Sequence, residues 1–308
     1  IFGQREQLAG LDVHDDRDAP VAVDLVDALG EALREQGWRL ACQCRVVDDL
    51  QIELFDPVRD GLPARVQALD WLSPTVLRLA ANRDEFYARP SAALSEWADA
   101  PGIFAGRDLQ AGGTWLGITA EGRFAALTNI RDPRLKAGPR SRGALTTEYL
   151  LGQASAPAYL DRIMRDAADY AGFNLLLGDR QQLWHFNSRE GRPRQLRSGI
   201  YGMSNASLDT PWPKLLYARE ALRERIEGVD EDLLELLSDN RQPADHLLPD
   251  TGVGLATERL LSSVFIASAT YGTRASTVLN LEQSGDWNIT ERSFGAHGAV
   301  LGEVALRR

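Results

Sequence analysis

The apolar positions of this chain switch repeatedly between a helical period and the two-residue period of strands. Residues 21–36, VAVDLVDALGEALREQ, place apolar side chains at helical spacing and stop at Gly37, which predicts a helix. WRLACQCRV and LQIELF predict two short strands joined by a VDD turn. DPVRDGLPAR is rich in turn formers, lacks a period and predicts a linker. VQALDW and TVLRLAANR then read as strands around a turn at Leu72–Pro74. From Gly112 the pattern is antiparallel, with GTWLGIT and RFAALTNI flanking AEG as a hairpin. Helices are predicted over 145–152 and 157–170, the second with Pro157 near its first turn. FNLLLGD, QLWHFN and RQLRSGIYGM are the next strands. A helical pair follows over 213–226 and 230–237, with the capping-rich GVDED between its members. STVLNLEQ and NITERSF, joined through SGDW, form a last hairpin. Strand runs separated by helical pairs indicate α+β layers rather than the βαβ alternation of a parallel sheet.

A length of 308 residues suits one or two domains, and 44% hydrophobic residues supply ample core material. The formal net charge of −10 argues against a nucleic-acid binder, which needs a clustered basic face. It gives no attraction to anionic lipid either. The basic charge is almost all arginine, because Lys136 and Lys214 are the only lysines. No apolar run approaches the roughly 20 residues of a membrane helix, and IFGQREQLAG lacks the pattern of a signal peptide. Two cysteines, Cys42 and Cys44, are too few for a disulfide framework. The expected compartment is the cytoplasm, without membrane insertion.

Asn82-Arg83-Asp84-Glu85, continuing as FYARP, resembles the defining motif of the NRDE family, also called the transport and Golgi organisation protein 2 family. GGTWLGIT, AALTN, SRG, FNLL, YGMSNA, TPWPK, YGTR and TERS follow in that family's order, so the resemblance runs from about Leu79 to the C-terminus. It implies a four-layer αββα sandwich of the N-terminal nucleophile hydrolase type. There the first residue of the mature chain is the nucleophile, and its own α-amine, with a pKa of about 8, is the general base. For function it implies haem trafficking first, with lipid or acyl-CoA handling as a competitor.

This sequence departs from the family at the start. Where the Met-Cys strand is expected, before Asn82, the chain reads LPARVQALDW, without Cys, Ser or Thr, and Ile1 has no nucleophilic group. No catalytic residue is therefore assigned. VQALDW, turn and VLRLAANR imitate the strand–turn–strand with which the family begins, so VQALDW is expected to replace the missing first strand. Upstream, GWRLACQCRVVDDLQIEL resembles the C-terminal half of a two-iron, two-sulfur ferredoxin of the β-grasp type, and ARVQALDWLSPTVLRL resembles the first strands of a ferredoxin reductase. Only Cys42 falls on a cluster-ligand position, and four thiolates are needed, so a cluster is not expected. Three segments result: 1–53, partly ferredoxin-like; 54–79, linker and reductase-like strands; and 80–308, the NRDE domain. A gene fusion without selected function is the remaining alternative.

Candidate site residues cluster at strand ends. Asn82, Arg83, Asp84 and Glu85 end an apolar strand, Thr128 and Asn129 end the next hairpin strand, and Ser204 and Asn205 end another. In an N-terminal nucleophile fold such groups orient a ligand or form an oxyanion hole; alternatively they are ion pairs and turn residues. Arg274 could pair with a carboxylate or a haem propionate, or with a structural partner. Gly112 and Gly113 with Trp115 read as a bulge and a core aromatic. His185 or Met203 could serve as an axial haem ligand or simply pack. The partner expected from these residues is a small hydrophobic ligand, with haem in first place.

Overall fold

The computed structural model describes residues 2–4, 9–15, 51–56, 59–71, 75–134 and 138–308. The chain divides into two compact units, one of residues 1–5 with 75–308 and one of residues 6–74. Cys42, Cys44 and the helix predicted over 21–36 lie outside the described residues.

The smaller unit holds a three-stranded antiparallel sheet of β2 (Ala9–Asp15), β4 (Arg59–Trp71) and β3 (Gln51–Asp56), with β4 in the middle. This changes two expectations. Residues 59–65, read as linker, are strand. VQALDW is not the strand beside residues 75–86, because it is the second half of β4 and pairs with Ala9–Val13. At Ala64 and Arg65 β4 is hydrogen-bonded on both sides, so its pairing is already used within this small sheet.

The larger unit is mixed α+β with two antiparallel sheets. One has the order β13 (Gly199–Tyr201), β1 (Phe2–Gln4), β5 (Thr75–Phe86), β14 (Tyr271–Glu282), β15 (Trp287–Phe294) and β16 (Val300–Arg307). The strand beside β5 is thus Phe2–Gln4, with Phe2 opposite Leu79. The other sheet is a meander: β6 (Ser91–Trp97), β7 (Ala100–Asp108), β8 (Leu116–Thr119), β9 (Phe124–Asn129), β10 (Phe173–Gly178), β11 (Leu183–Asn187) and β12 (Arg192–Leu196). The predicted strand RQLRSGIYGM is two strands, β12 and β13, in different sheets.

Three apolar clusters account for the packing. Leu77, Leu79, Leu279 and Ile289 of the first sheet meet Leu116, Phe124 and Leu176 of the second in one core. Helices α1 (Gly143–Leu151) and α2 (Ala156–Asp166) bury Leu145, Tyr149 and Leu160 against Phe173, Leu175 and Phe186 on the second sheet. Helices α3 (Pro213–Arg225) and α4 (Asp230–Leu237) bury Leu222, Leu233 and Leu237 against Ala80 and Val278 on the first. Pro213 starts α3 with its φ already helical. Three acidic residues open α4, and the Asp232 carboxylate accepts the Val229 N–H at 2.9 Å, which suits the positive end of the helix. A short helix, α5 (Leu255–Leu260), is the fifth α-helix among the described residues. No helix among the described residues is long and apolar enough to cross a membrane.

Two adjacent layers use alternate residues of β5. Leu77 and Leu79 enter the core between the sheets, while Arg78 and Ala80 face the α3–α4 side. This alternation carries through to the end of the strand and sets the geometry of the site.

Candidate functional site

The tetrapeptide NRDE closes β5, so its four side chains divide between the two faces of the sheet. Asn82, on the α3–α4 side, donates to the carbonyls of Leu237 at 2.8 Å and Val264 at 2.9 Å, and accepts from Ser276 Oγ at 2.6 Å. Asp84 accepts from Thr273 Oγ1 at 2.7 Å. Arg83, on the opposite face, lays its guanidinium over the Trp115 ring, 4.2 Å from the centroid. Glu85 lies 3.6 Å from Arg89, which forms a 2.6 Å ion pair with Asp108.

These four residues line a cavity of about 580 Å³. So do Thr128, Asn129, Ser204 and Asn205. Thr128 Oγ1 donates to the Ser204 carbonyl at 2.6 Å, and Asn205 Nδ2 donates to the Asn129 carbonyl at 2.9 Å; Ser204 and Asn205 do not end a strand as expected but lie in the loop after β13, which these bonds tie to the end of β9. Eight of the nine sequence candidates therefore share one cavity wall. Arg274 does not. It sits at a bulge of β14, between Thr273 opposite Asp84 and Ala275 opposite Arg83. From there it donates to the carbonyls of Phe86 and Arg89, at 3.0 and 2.9 Å, and fixes the loop that follows β5.

Trp115 lines the cavity and also packs against the core between the sheets. A Cβ on Gly113 would come within 2.6 Å of the Gly143 backbone, so the double glycine lets the start of α1 approach β8. That approach brings Arg142 of the SRG motif into the cavity wall.

Met203 lines the cavity and His185 does not. His185 is 2% exposed, its Nε2 lies 3.2 Å from Asn174 Oδ1, and burial depresses its pKa to about 4. An axial-ligand role for His185 is corrected accordingly. The imidazole is held neutral, so this contribution to stability is complete above the unfolded pKa near 6.5 and is lost as pH falls toward 4. We expect His185 to cost the wild type about 2 kcal/mol of stability between pH 7.5 and 5. Burial raises the carboxyl pKa of Asp84 and Glu291, which acts in the opposite direction. The informative measurement is therefore urea unfolding of wild type and His185→Gln at both pH values, with a shallower acid loss expected in the variant.

Several cavity residues escaped the sequence reading. Arg89, Arg131, Arg140, Arg142 and Lys214 join Arg83 on the wall, against the carboxylates Asp84, Glu85 and Asp108. Arg89, Arg131 and Arg140 are paired with Asp108, Glu258 and Glu148. Among the described residues, Arg83, Arg142 and Lys214 have no carboxylate within 4.0 Å. The Arg83 Nη1 is buried without a hydrogen-bond partner. Burial lowers the pKa of both Arg83 and Arg142. Lys214 Nζ donates to the Leu261 carbonyl at 2.9 Å, and burial brings its pKa down to about 8 although the charge of Asp84 opposes this. A signal for two of these was present in the sequence. Arg142 precedes α1 directly and Lys214 lies in the first turn of α3. A cation at a helix N-terminus opposes the helix dipole, so its presence there calls for another use.

The wall also has an apolar part, formed by Leu79, Leu176, Met203, Leu215, Val264 and Ile266. Apolar surface beside cations that have no carboxylate in contact suits an amphipathic anion.

A family model described as Transport and Golgi organisation 2 matches residues 74–296. The chain is 35% identical over 238 residues to the mouse Transport and Golgi organization 2 homolog, covering 71% of this chain and 86% of that protein. It is 36% identical over 239 residues to the human homolog, with the same coverage of each. To the Drosophila melanogaster Transport and Golgi organization protein 2 it is 26% identical over 247 residues, again covering 71% and 86%.

Proposed function

The chain belongs to the Transport and Golgi organisation 2 family, and from that premise we propose that its larger unit is a non-catalytic binder and carrier of a hydrophobic, anionic cofactor, with haem as the first candidate. The observation that carries this reading is the group Arg83, Arg142 and Lys214, positive and without a carboxylate partner among the described residues, on a wall that is otherwise substantially apolar. Burying such cations is unfavourable unless an anion meets them. A volume of about 580 Å³ falls within the range of small-molecule and cofactor sites.

The wall fits a haem in charge and polarity. Arg83 and Arg142 would meet the propionates with their planar forks, and Leu176, Met203 and Leu215 would face the macrocycle. No histidine among the described residues lines the cavity, so a protein ligand to iron would come from the Met203 thioether or the Tyr271 phenol. Bound haem would supply a ligand-exchanging iron. The protein would supply the anion-binding cations and the apolar wall. We read the helix–sheet–sheet–helix packing as the αββα sandwich of the N-terminal nucleophile hydrolases and the cytoplasm as the compartment. Residues 1–53 are read as a partial ferredoxin-like segment, apart from Phe2–Gln4, which pairs with β5 in the larger unit.

The second reading is an amide or thioester hydrolase of that class. The gathering of Thr128, Asn129, Ser204 and Asn205 on one wall favours it, because polar groups collected at one end of a sheet are where such a fold orients an acyl substrate. Hydrolysis of amide or thioester substrates by a chain carrying Met-Cys directly before Ile1 would support it.

Haemin titration of the purified chain, followed in the Soret region, tests the carrier. We expect Arg83→Ala and Arg142→Ala each to weaken binding about tenfold, the loss of one charge-assisted contact. Equal affinity in wild type and both variants would remove this reading.

A further inference from the structure

Lys214 stands apart from the other cations of the cavity. It is an amine rather than a guanidinium, and it lies in the first turn of α3 with Leu215, Ala218, Leu237 and Leu261 also on the wall. One hydrogen bond, to the Leu261 carbonyl, orients Nζ from the side of the helix. The charged groups that act on it are Asp84 from β5, Arg131 from the segment after β9, and Glu258 from α5. Asp84 is itself held by Thr273 and lines the same cavity. An amine, a carboxyl group and two arginines without a carboxylate in contact thus line one cavity.

We propose that Lys214 is a covalent capture site for carbonyl ligands, forming a Schiff base with an aldehyde that carries a carboxylate or phosphate. The neutral Nζ attacks the carbonyl carbon, and a proton moves from nitrogen to oxygen to give the carbinolamine. Asp84 then protonates the departing hydroxyl. Water leaves, and the positive iminium formed at Nζ faces the Asp84 carboxylate. The net change is amine plus aldehyde to imine plus water, with no oxidant or reductant. Arg83 and Arg142 select the anionic group of the ligand. The inference needs an accessible cavity but not haem, so it survives failure of the haemin titration.

Geometry and acidity agree. With a pKa of about 8, the fraction of Lys214 present as neutral amine at pH 7.5 is ~200-fold larger than for an ordinary lysine. The chain provides an internal control, because Lys136 is the only other lysine.

The test treats the full chain with 4-carboxybenzaldehyde and sodium cyanoborohydride across pH 6.5 to 10, followed by peptide mapping. The expected result is an adduct on Lys214, forming faster than on Lys136 or the N-terminal amine, with a midpoint of about pH 8 set by the amine. Uncharged benzaldehyde is expected to label it at least fivefold more slowly. Asp84→Asn is expected to slow labelling of Lys214 and leave Lys136 unchanged. Labelling of Lys214 no faster than Lys136, or only after denaturation, would overturn the proposal. Equal rates for the two aldehydes would overturn the anionic ligand class. The comparison of Lys214 with Lys136 is made within the wild-type chain, so it does not depend on the folding of any variant.

Discussion

Arg78→Ala is expected to lower the free energy of unfolding by about 3–5 kcal/mol, the largest loss from a single substitution outside the cavity. Arg78 is 6% exposed on β5, and its guanidinium reaches four acceptors at once. It donates to Asn280 Oδ1 at 2.9 Å, to the carbonyls of Ile226 and Gly228 at the end of α3, and to Asp230 at the start of α4 at 3.2 Å. One side chain thus satisfies the C-terminal carbonyls of one helix and the opening acid of the next, and clips both to the sheet. Truncation leaves the carbonyls of Ile226 and Gly228 without this donor. Asp230 keeps Asn280 and Asn288, each at 2.8 Å, so the loss falls mainly on the carbonyls. Arg78→Lys is expected to recover less than half of the stability, because an ammonium cannot present the planar fork. Urea denaturation followed by circular dichroism checks both variants, and a loss below about 1 kcal/mol for alanine would contradict this account.

Asn82→Ala is expected to cost about 3–4 kcal/mol, since it orphans the carbonyls of Leu237 and Val264 and the hydroxyl of Ser276 together. Asn82→Asp should be no better. A carboxylate has no donors for the two carbonyls and would set negative charge against them. Ser276→Ala removes only the third bond and is expected to cost about 1 kcal/mol. This graded series, measured by the same unfolding experiment, separates anchoring of the cavity wall from ligand contact. If Asn82 served only the ligand, all three variants would unfold like the wild type. The first letter of the tetrapeptide is thus structural in this geometry, and Arg83 carries the charge that faces the cavity.

The hairpins and the helical pair were legible because their determinants are local. Pro213 marks the start of α3, and the alternation along residues 276–294 sits on a hairpin whose turn lies at 283–286. The site was legible to the extent that strand ends carry polar residues, which identified eight of its lining residues. Strands β6 and β7 were not legible, because their pairing is interrupted between Ala92 and Ser95 and again between Glu96 and Trp97, which breaks the two-residue period. The division of RQLRSGIYGM into β12 and β13 was hidden for another reason. Strand β12 pairs with the strand just before it, His185 opposite Arg194, whereas β13 pairs with Phe2–Gln4 at the far end of the chain, and nothing within the segment names that partner. The convergence of arginines from after β5, after β9 and before α1 is likewise a property of the tertiary fold.

The central pair of the first sheet, β5 with β14, has a consequence for how the chain is made. Asn82 and its partner Ser276 are 194 residues apart in sequence. At a synthesis rate of about 5–20 residues per second, β5 is made roughly 10–40 s before its principal neighbour exists. The second sheet lies wholly within that interval and pairs mostly between consecutive strands, so it can form while the ribosome is still at work. Until β14 arrives, an apolar strand ending in Asn-Arg-Asp-Glu has one edge without its native partner, and a chaperone would find its recognition surface there.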